Sequence, residues 1–176
     1  MSGHNKYSKI KHIKAKNDAQ KSKNFGKLVR LITVEAKKAG GNLSSPSLVA
    51  AIEKARGENM PNDTIDRAVK KATTDNSADM ESIVYETYGP GGIAILIDAL
   101  TDNRNKAAQE IKHILSLHGF ELASPGSASW AFKKDHATWT ATTTMPLEDA
   151  DIEILTQLVE ELEENDEVQS VFTNAE

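Results

Sequence analysis

The chain has 176 residues, 39% of them hydrophobic and 27% charged, enough to bury a core and to hold one large domain or two small ones. It has no cysteine, which excludes a disulfide framework, a thiol nucleophile, an iron–sulfur cluster and a cysteine-ligated zinc. Its formal net charge of −5 averages two opposed halves: residues 1–71 carry 16 Lys and Arg against 6 Asp and Glu, and the remainder carries 5 against 20.

In chain order, residues 1–16 offer almost no apolar periodicity and closely spaced lysines. The start, Met1-Ser2-Gly3-His4-Asn5-Lys6, lacks the apolar stretch of a signal peptide, and no apolar run approaches the roughly 18 residues of a membrane span. A cytoplasmic protein with no membrane contact is expected. From Asp18 the pattern changes, because Phe25, Leu28, Val29, Ile32, Ala36 and Ala39 recur at three- and four-residue spacing and predict an amphipathic helix ended by Gly40-Gly41. Ser45-Pro46 opens a second helix with Leu48, Ala51, Ile52 and Ala55 on its stripe. Pro61 separates a third, capped by Asn62 or Asp63 and lined by Ile65, Ala68, Val69 and Ala72. Residues 1–76 thus read as a basic helical nucleic-acid-binding domain.

Beyond the polar break at Thr73-Thr74-Asp75-Asn76-Ser77 the period turns to β, and residues 77–176 read as a second domain. Ile83–Tyr88 and Ile93–Ile97 predict strands joined by Gly89-Pro90-Gly91-Gly92. A helix follows, capped near Asp102 or Asn103 and ended before Gly119. Ala128–Lys133 and His136–Thr144 predict two strands, Leu147–Glu164 an acidic amphipathic helix, and Val168–Phe172 a last strand. The order from Ile93 is β-α-β-β-α-β, so the expected fold class is α+β: a basic three-helix domain followed by a ferredoxin-like domain with one extra strand in front.

Candidate chemistry is sparse. Gly89-Pro90-Gly91-Gly92-Ile93-Ala94 has dinucleotide-loop spacing, but a strand follows where the fingerprint needs a helix, so a tight turn is the better reading. Glu110 and His113 form half of a carboxylate di-iron motif whose other ligands are missing, and no metal or cofactor is expected. No convergent catalytic set suggests an enzyme. Trp130 and Phe132, two apart on a predicted strand, would share one face and are assigned to the core rather than to a base-stacking platform.

The dominant signal is basic. Residues 1–39 hold 11 Lys and Arg against 2 acidic residues, and 135–176 hold 12 acidic residues and no Lys or Arg. Such asymmetry is the footprint of a polyanion-binding arm on a body that repels polyanions. The candidate contacts are His4, Lys6, Lys9, Lys11, His12, Lys14, Lys16, Lys21, Lys23, Lys27 and Arg30, extended by Arg67, Lys70 and Lys71. Lysine is a point charge suited to phosphate and poor at reading bases, so affinity with little sequence specificity is expected.

Three ordered blocks carry a family resemblance: Ser2-Gly3-His4-Asn5-Lys6-Tyr7 with Ile10-Lys11-His12; Met60-Pro61-Asn62-Asp63-Thr64-Ile65-Asp66-Arg67-Ala68; and Tyr88-Gly89-Pro90-Gly91-Gly92 with Leu100-Thr101-Asp102-Asn103-Arg104-Asn105. Together they resemble the YebC/PmpR family, described as probable transcriptional regulators and including the mitochondrial translational activator of cytochrome oxidase subunit I. The likeness departs between Phe132 and Met145, where family members carry a further α/β module, so the chain resembles a shortened form. The resemblance implies a non-enzymatic protein whose partner is nucleic acid, either DNA in transcription regulation or ribosomal RNA on a ribosome stalled at proline-rich stretches. It implies nucleic-acid contacts for the N-terminal block and marks Gly89, Pro90, Gly91, Gly92, Asp102, Asn103 and Arg104 as a signature. No small-molecule substrate is expected, and a monomer is the expected state.

Overall fold

The computed structural model describes residues 18–74, 79–136 and 138–176, which group into two compact units, a helical one up to Met80 and an α+β one from Glu81. The expected boundary at residue 76 falls outside the described residues.

The helical unit holds α1 (Asp18–Ala39), α2 (Pro46–Gly57) and α3 (Asn62–Thr74). The predicted stripes meet in one core: Leu28, Ile32 and Ala36 from α1, Leu48, Ala51 and Ala55 from α2, Met60, and Ile65, Ala68 and Ala72 from α3. Gly40 ends α1 at φ +57, a left-handed conformation that glycine adopts without a Cβ penalty. The Thr33 hydroxyl bonds the Val29 carbonyl within α1 at 2.8 Å and reaches the Ala68 carbonyl of α3 at 3.3 Å. Helix α3 begins at Asn62 rather than being capped there. The Pro61 carbonyl takes the first amide bonds, and Asp63 lies in the first turn, where a carboxylate complements the helix dipole.

The second unit is built on a four-stranded sheet in the order β3-β1-β2-β6, with β1 at Glu81–Tyr88, β2 at Ala94–Thr101, β3 at Leu122–Ala123 and β6 at Val168–Thr173. Every neighbouring pair is antiparallel, with Glu81 opposite Thr101 and Tyr88 opposite Ala94 in the central hairpin. Strand β2 reads as a continuous apolar run because both its faces are covered. Ile95 and Ile97 meet α4 (Arg104–Leu117) and α5 (Asp149–Glu164) through Ile111, Leu115, Leu155, Leu158 and Leu162. On the opposite face Ala94 and Leu96 meet Ala128, Ala131 and Phe132.

The α+β class holds, and the sheet keeps a split β-α-β, since β2 and β3 flank β1 and are joined through α4. The strand inserted between them is the one in front of the pattern, rather than one that follows it. The expected strands at 128–133 and 136–144 shrink to β4 (Phe132–Asp135) and β5 (Thr138–Ala141), which pair with each other outside the sheet. Ser129–Ala131 instead forms a 3-10 turn. The reason is hydrogen bonding: β1 already takes the place beside β2, so the later segment lies across the sheet face as a cover.

Candidate nucleic-acid interface

Helix α3 separates its residues by period. Ile65, Ala68 and Ala72 are buried, while Arg67, Lys70 and Lys71 are exposed on the opposite side at three- and four-residue spacing. Arg67 is steadied by its Nε, which donates to the Asp63 carbonyl at 3.2 Å. The three cations therefore stand as one stripe on a rigid helix, and Lys71 also complements the negative end of the helix dipole.

The remaining candidates divide by position. His4, Lys6, Lys9, Lys11, His12, Lys14 and Lys16 lie outside the described residues. On α1, Lys21 is exposed and Lys23 half-buried. Lys27 is only 8% exposed, which takes it out of the surface available to a phosphate. Arg30 is half-buried, and its Nη2 points at the Met80 sulfur, 3.7 Å away. Lys37 pairs with Asp79 at 2.7 Å, and this hydrogen bond and charge hold the Asp79 carboxyl below its usual range.

The Gly-Pro-Gly-Gly signature is a packed turn. Pro90–Gly92 forms a 3-10 turn, Gly91 has φ +66, and a Cβ there would stand 2.7 Å from Leu147 Cδ2 just ahead of α5. A Cβ on Gly89 would stand 2.7 Å from Ile95 Cδ1. The Asp-Asn-Arg signature is a helix start: Asn103 Oδ1 accepts the Lys106 amide at 3.1 Å, and the Thr101 hydroxyl accepts the Asn103 amide at 2.9 Å. Arg104 lies 3.7 Å from Glu81, and Lys106 bridges to Glu167 at 3.1 Å, which raises the lysine's pKa. Glu110 of the half-motif accepts from Asn165 at 2.8 Å, and beyond the motif His118 meets Glu161 at 2.6 Å.

One polar centre escaped the sequence reading. Strand alternation puts Val84, Glu86 and Tyr88 on the face covered by residues 126–132. Glu86 is 7% exposed, and its two oxygens accept the backbone amides of Gly126 at 2.7 Å, Ala128 at 2.7 Å and Ser129 at 3.0 Å. Burial pushes its pKa up, but the amide bonds outweigh burial and hold the carboxyl below its ordinary value. The available signal was a lone carboxylate amid the apolar and aromatic residues of a strand, together with a Ser-Pro-Gly-Ser loop at 124–127 rich in backbone donors. Nothing local links them across about 40 positions.

The aromatic assignment is half corrected. Phe132 is buried as expected, but Trp130 is 57% exposed, because the 3-10 turn breaks the alternation that would have put both rings on one face.

The fold and the basic stripe define a two-unit α+β protein that presents cations from a small helical bundle. Residues 5–75 match the TACO1/YebC protein N-terminal domain, and residues 80–137 match the TACO1/YebC second and third domain. A probable transcriptional regulatory protein of Thermotoga petrophila is 51% identical over 136 residues, covering 76% of this chain and 54% of the relative. Another, of Petrotoga mobilis, is 42% identical over 184 aligned residues, covering 100% of this chain and 71% of the relative. The crystal structure of a conserved hypothetical protein, Aq1575 from Aquifex aeolicus, superimposes with a TM-score of 0.76 at 28% identity, covering 90% of this chain and 91% of that one. The chain belongs to the TACO1/YebC family. It spans about half the length of most of the curated relatives it matches, 54% for the Thermotoga protein.

Proposed function

We propose that this chain is a nucleic-acid-binding regulator of gene expression, acting without catalysis or cofactor as a cytoplasmic monomer. The observation that carries the reading is the exposed Arg67, Lys70 and Lys71 stripe of α3, in a chain whose first 39 residues hold 11 basic against 2 acidic residues. The name probable transcriptional regulatory protein, borne by its relatives, supports a regulatory role, for which DNA is the target in this reading. Among the described residues, no helix is long and apolar enough to cross a membrane.

A second reading, an RNA-binding factor on the ribosome, is favoured by the chemistry of that face. One arginine and two lysines beside Asp66, Thr73 and Thr74 supply phosphate contacts and almost no bidentate base readout. In either case the net negative charge of the second unit repels polyanions and favours contact through the basic one.

The test is binding of the full chain to duplex DNA and to a structured RNA across a salt series. Log affinity falls by about 0.7 to 0.9 per phosphate neutralised for each decade of salt, so replacing Arg67, Lys70 and Lys71 by Ala flattens the slope by roughly 2 to 3. An unchanged slope removes this stripe as the contact. Sedimentation of a lysate treated with DNase separates the targets: co-migration with ribosomal particles selects RNA, and promoter-preferring shifts of duplex DNA select transcription.

A further inference from the structure

We infer that Tyr88 and Trp130 form a stacking platform for an unpaired base of a single-stranded nucleic acid, with Lys133 and Lys134, three and four residues on from Trp130, as the cations nearest to it in the chain. The inference rests on the nucleic-acid reading above and adds a second contact, on the unit whose overall charge argues against one.

Four observations carry it. Trp130 is 57% exposed and Tyr88 37%, although both are anchored. The indole Nε1 donates to the Tyr88 hydroxyl at 3.0 Å, and that hydroxyl donates to the Ser127 carbonyl. These bonds engage the edge of the indole and the tip of the phenol rather than the ring faces. The turn bearing Trp130 is pinned from below by the three amide bonds to Glu86, so holding the ring open costs no further ordering when a base arrives.

The charge that follows Trp130 in the chain selects the occupant. Residues 79–176 contain five basic side chains: Arg104 and Lys106 face Glu81 and Glu167, Lys112 lies on α4, and the other two directly follow the platform. Lys133 and Lys134 are exposed, and Lys134 Nζ lies 5.4 Å from the Trp139 ring centre, a cation–π contact that steadies it. Exposed aromatic residues followed within four positions by two exposed lysines, in an otherwise acidic unit, match a base with its phosphate. A duplex cannot use them, because its bases are already stacked on one another. An apolar peptide would have no need of the lysines.

Fluorescence tests this in the full chain. The protein has two tryptophans, so Trp139→Phe, which keeps a ring under Lys134, leaves Trp130 as the sole reporter. An oligouridylate of about 12 nucleotides, which barely stacks on itself, should quench Trp130 saturably, whereas a duplex of equal length should bind with little quenching. Trp130→Ala should weaken oligouridylate binding by about 5- to 150-fold, the range for one lost base stack, while Trp130→Phe retains most of it and duplex affinity stays unchanged. Equal quenching by both probes, or an unchanged single-strand affinity in Trp130→Ala, overturns the inference and leaves the basic stripe standing. Failure to bind either probe overturns the nucleic-acid reading together with this one.

Discussion

Replacing Glu86 by Gln keeps the size of the side chain and removes its charge. The carboxylate accepts three amides, Gly126 on one oxygen and Ala128 with Ser129 on the other. A glutamine oxygen can serve one side, and it serves most by keeping Ala128 and Ser129. Its NH2 then faces the Gly126 amide, donor against donor. Leaving one such donor unsatisfied costs about 1–3 kcal/mol, and losing the charge weakens the two bonds that remain. Both tryptophans lie in this unit, so fluorescence-monitored urea unfolding reports it without the helical unit. With m of about 1–2 kcal/mol per molar for a unit this size, the midpoint should fall by on the order of 1 M. The effect also has a pH signature. The native carboxyl is held below its ordinary value, so its stabilisation is complete at neutral pH, begins to fade as pH drops through the unfolded value near about 4.3, and is gone once the native group protonates. The midpoints of the parent and Glu86→Gln should therefore differ at pH 7 and converge in acid. Equal midpoints at pH 7 would refute the view that this carboxylate holds the turn.

Further outcomes follow from the two signatures. Gly91→Ala combines a left-handed backbone with a Cβ 2.7 Å from Leu147, whereas Gly92→Ala has φ +77 but open space around it. Thermal unfolding should show about 1–2 kcal/mol lost at Gly92 and a clearly larger loss at Gly91, and equal losses would show that Leu147 yields freely. Asn103→Ala removes the cap of α4 and should cost about 1 kcal/mol, with Asn103→Ser or Asn103→Asp restoring most of it, as read by urea unfolding. If Ala matched Asp there, the signature would owe nothing to capping.

The three basic-unit helices were legible because each stripe is local: residues three and four apart must share a face, and glycine and proline stop a helix wherever they fall. The charge asymmetry was equally plain, since formal charge needs no fold. The apolar run at 93–97 correctly predicted a strand, which the structure buries on both sides. Strand order was not legible. Which segment lies beside β2 depends on competition for its hydrogen bonds, and the adjacent hairpin partner β1 wins over residues 128–133 because closing a short turn costs less chain entropy. The burial of Lys27 likewise followed from packing rather than from charge.

By itself, then, the sequence determined the helices, the central hairpin strands, the last strand, the two-part division of composition and the basic face, all properties of neighbouring residues. Only the tertiary structure decided that Glu86 collects three amides from a loop some 40 residues away, and that Trp130 stands exposed beside Tyr88 while Phe132 is buried. Those outcomes turn on long-range pairing of buried polar groups, where an unpaired carboxylate or amide costs more than any local preference can return.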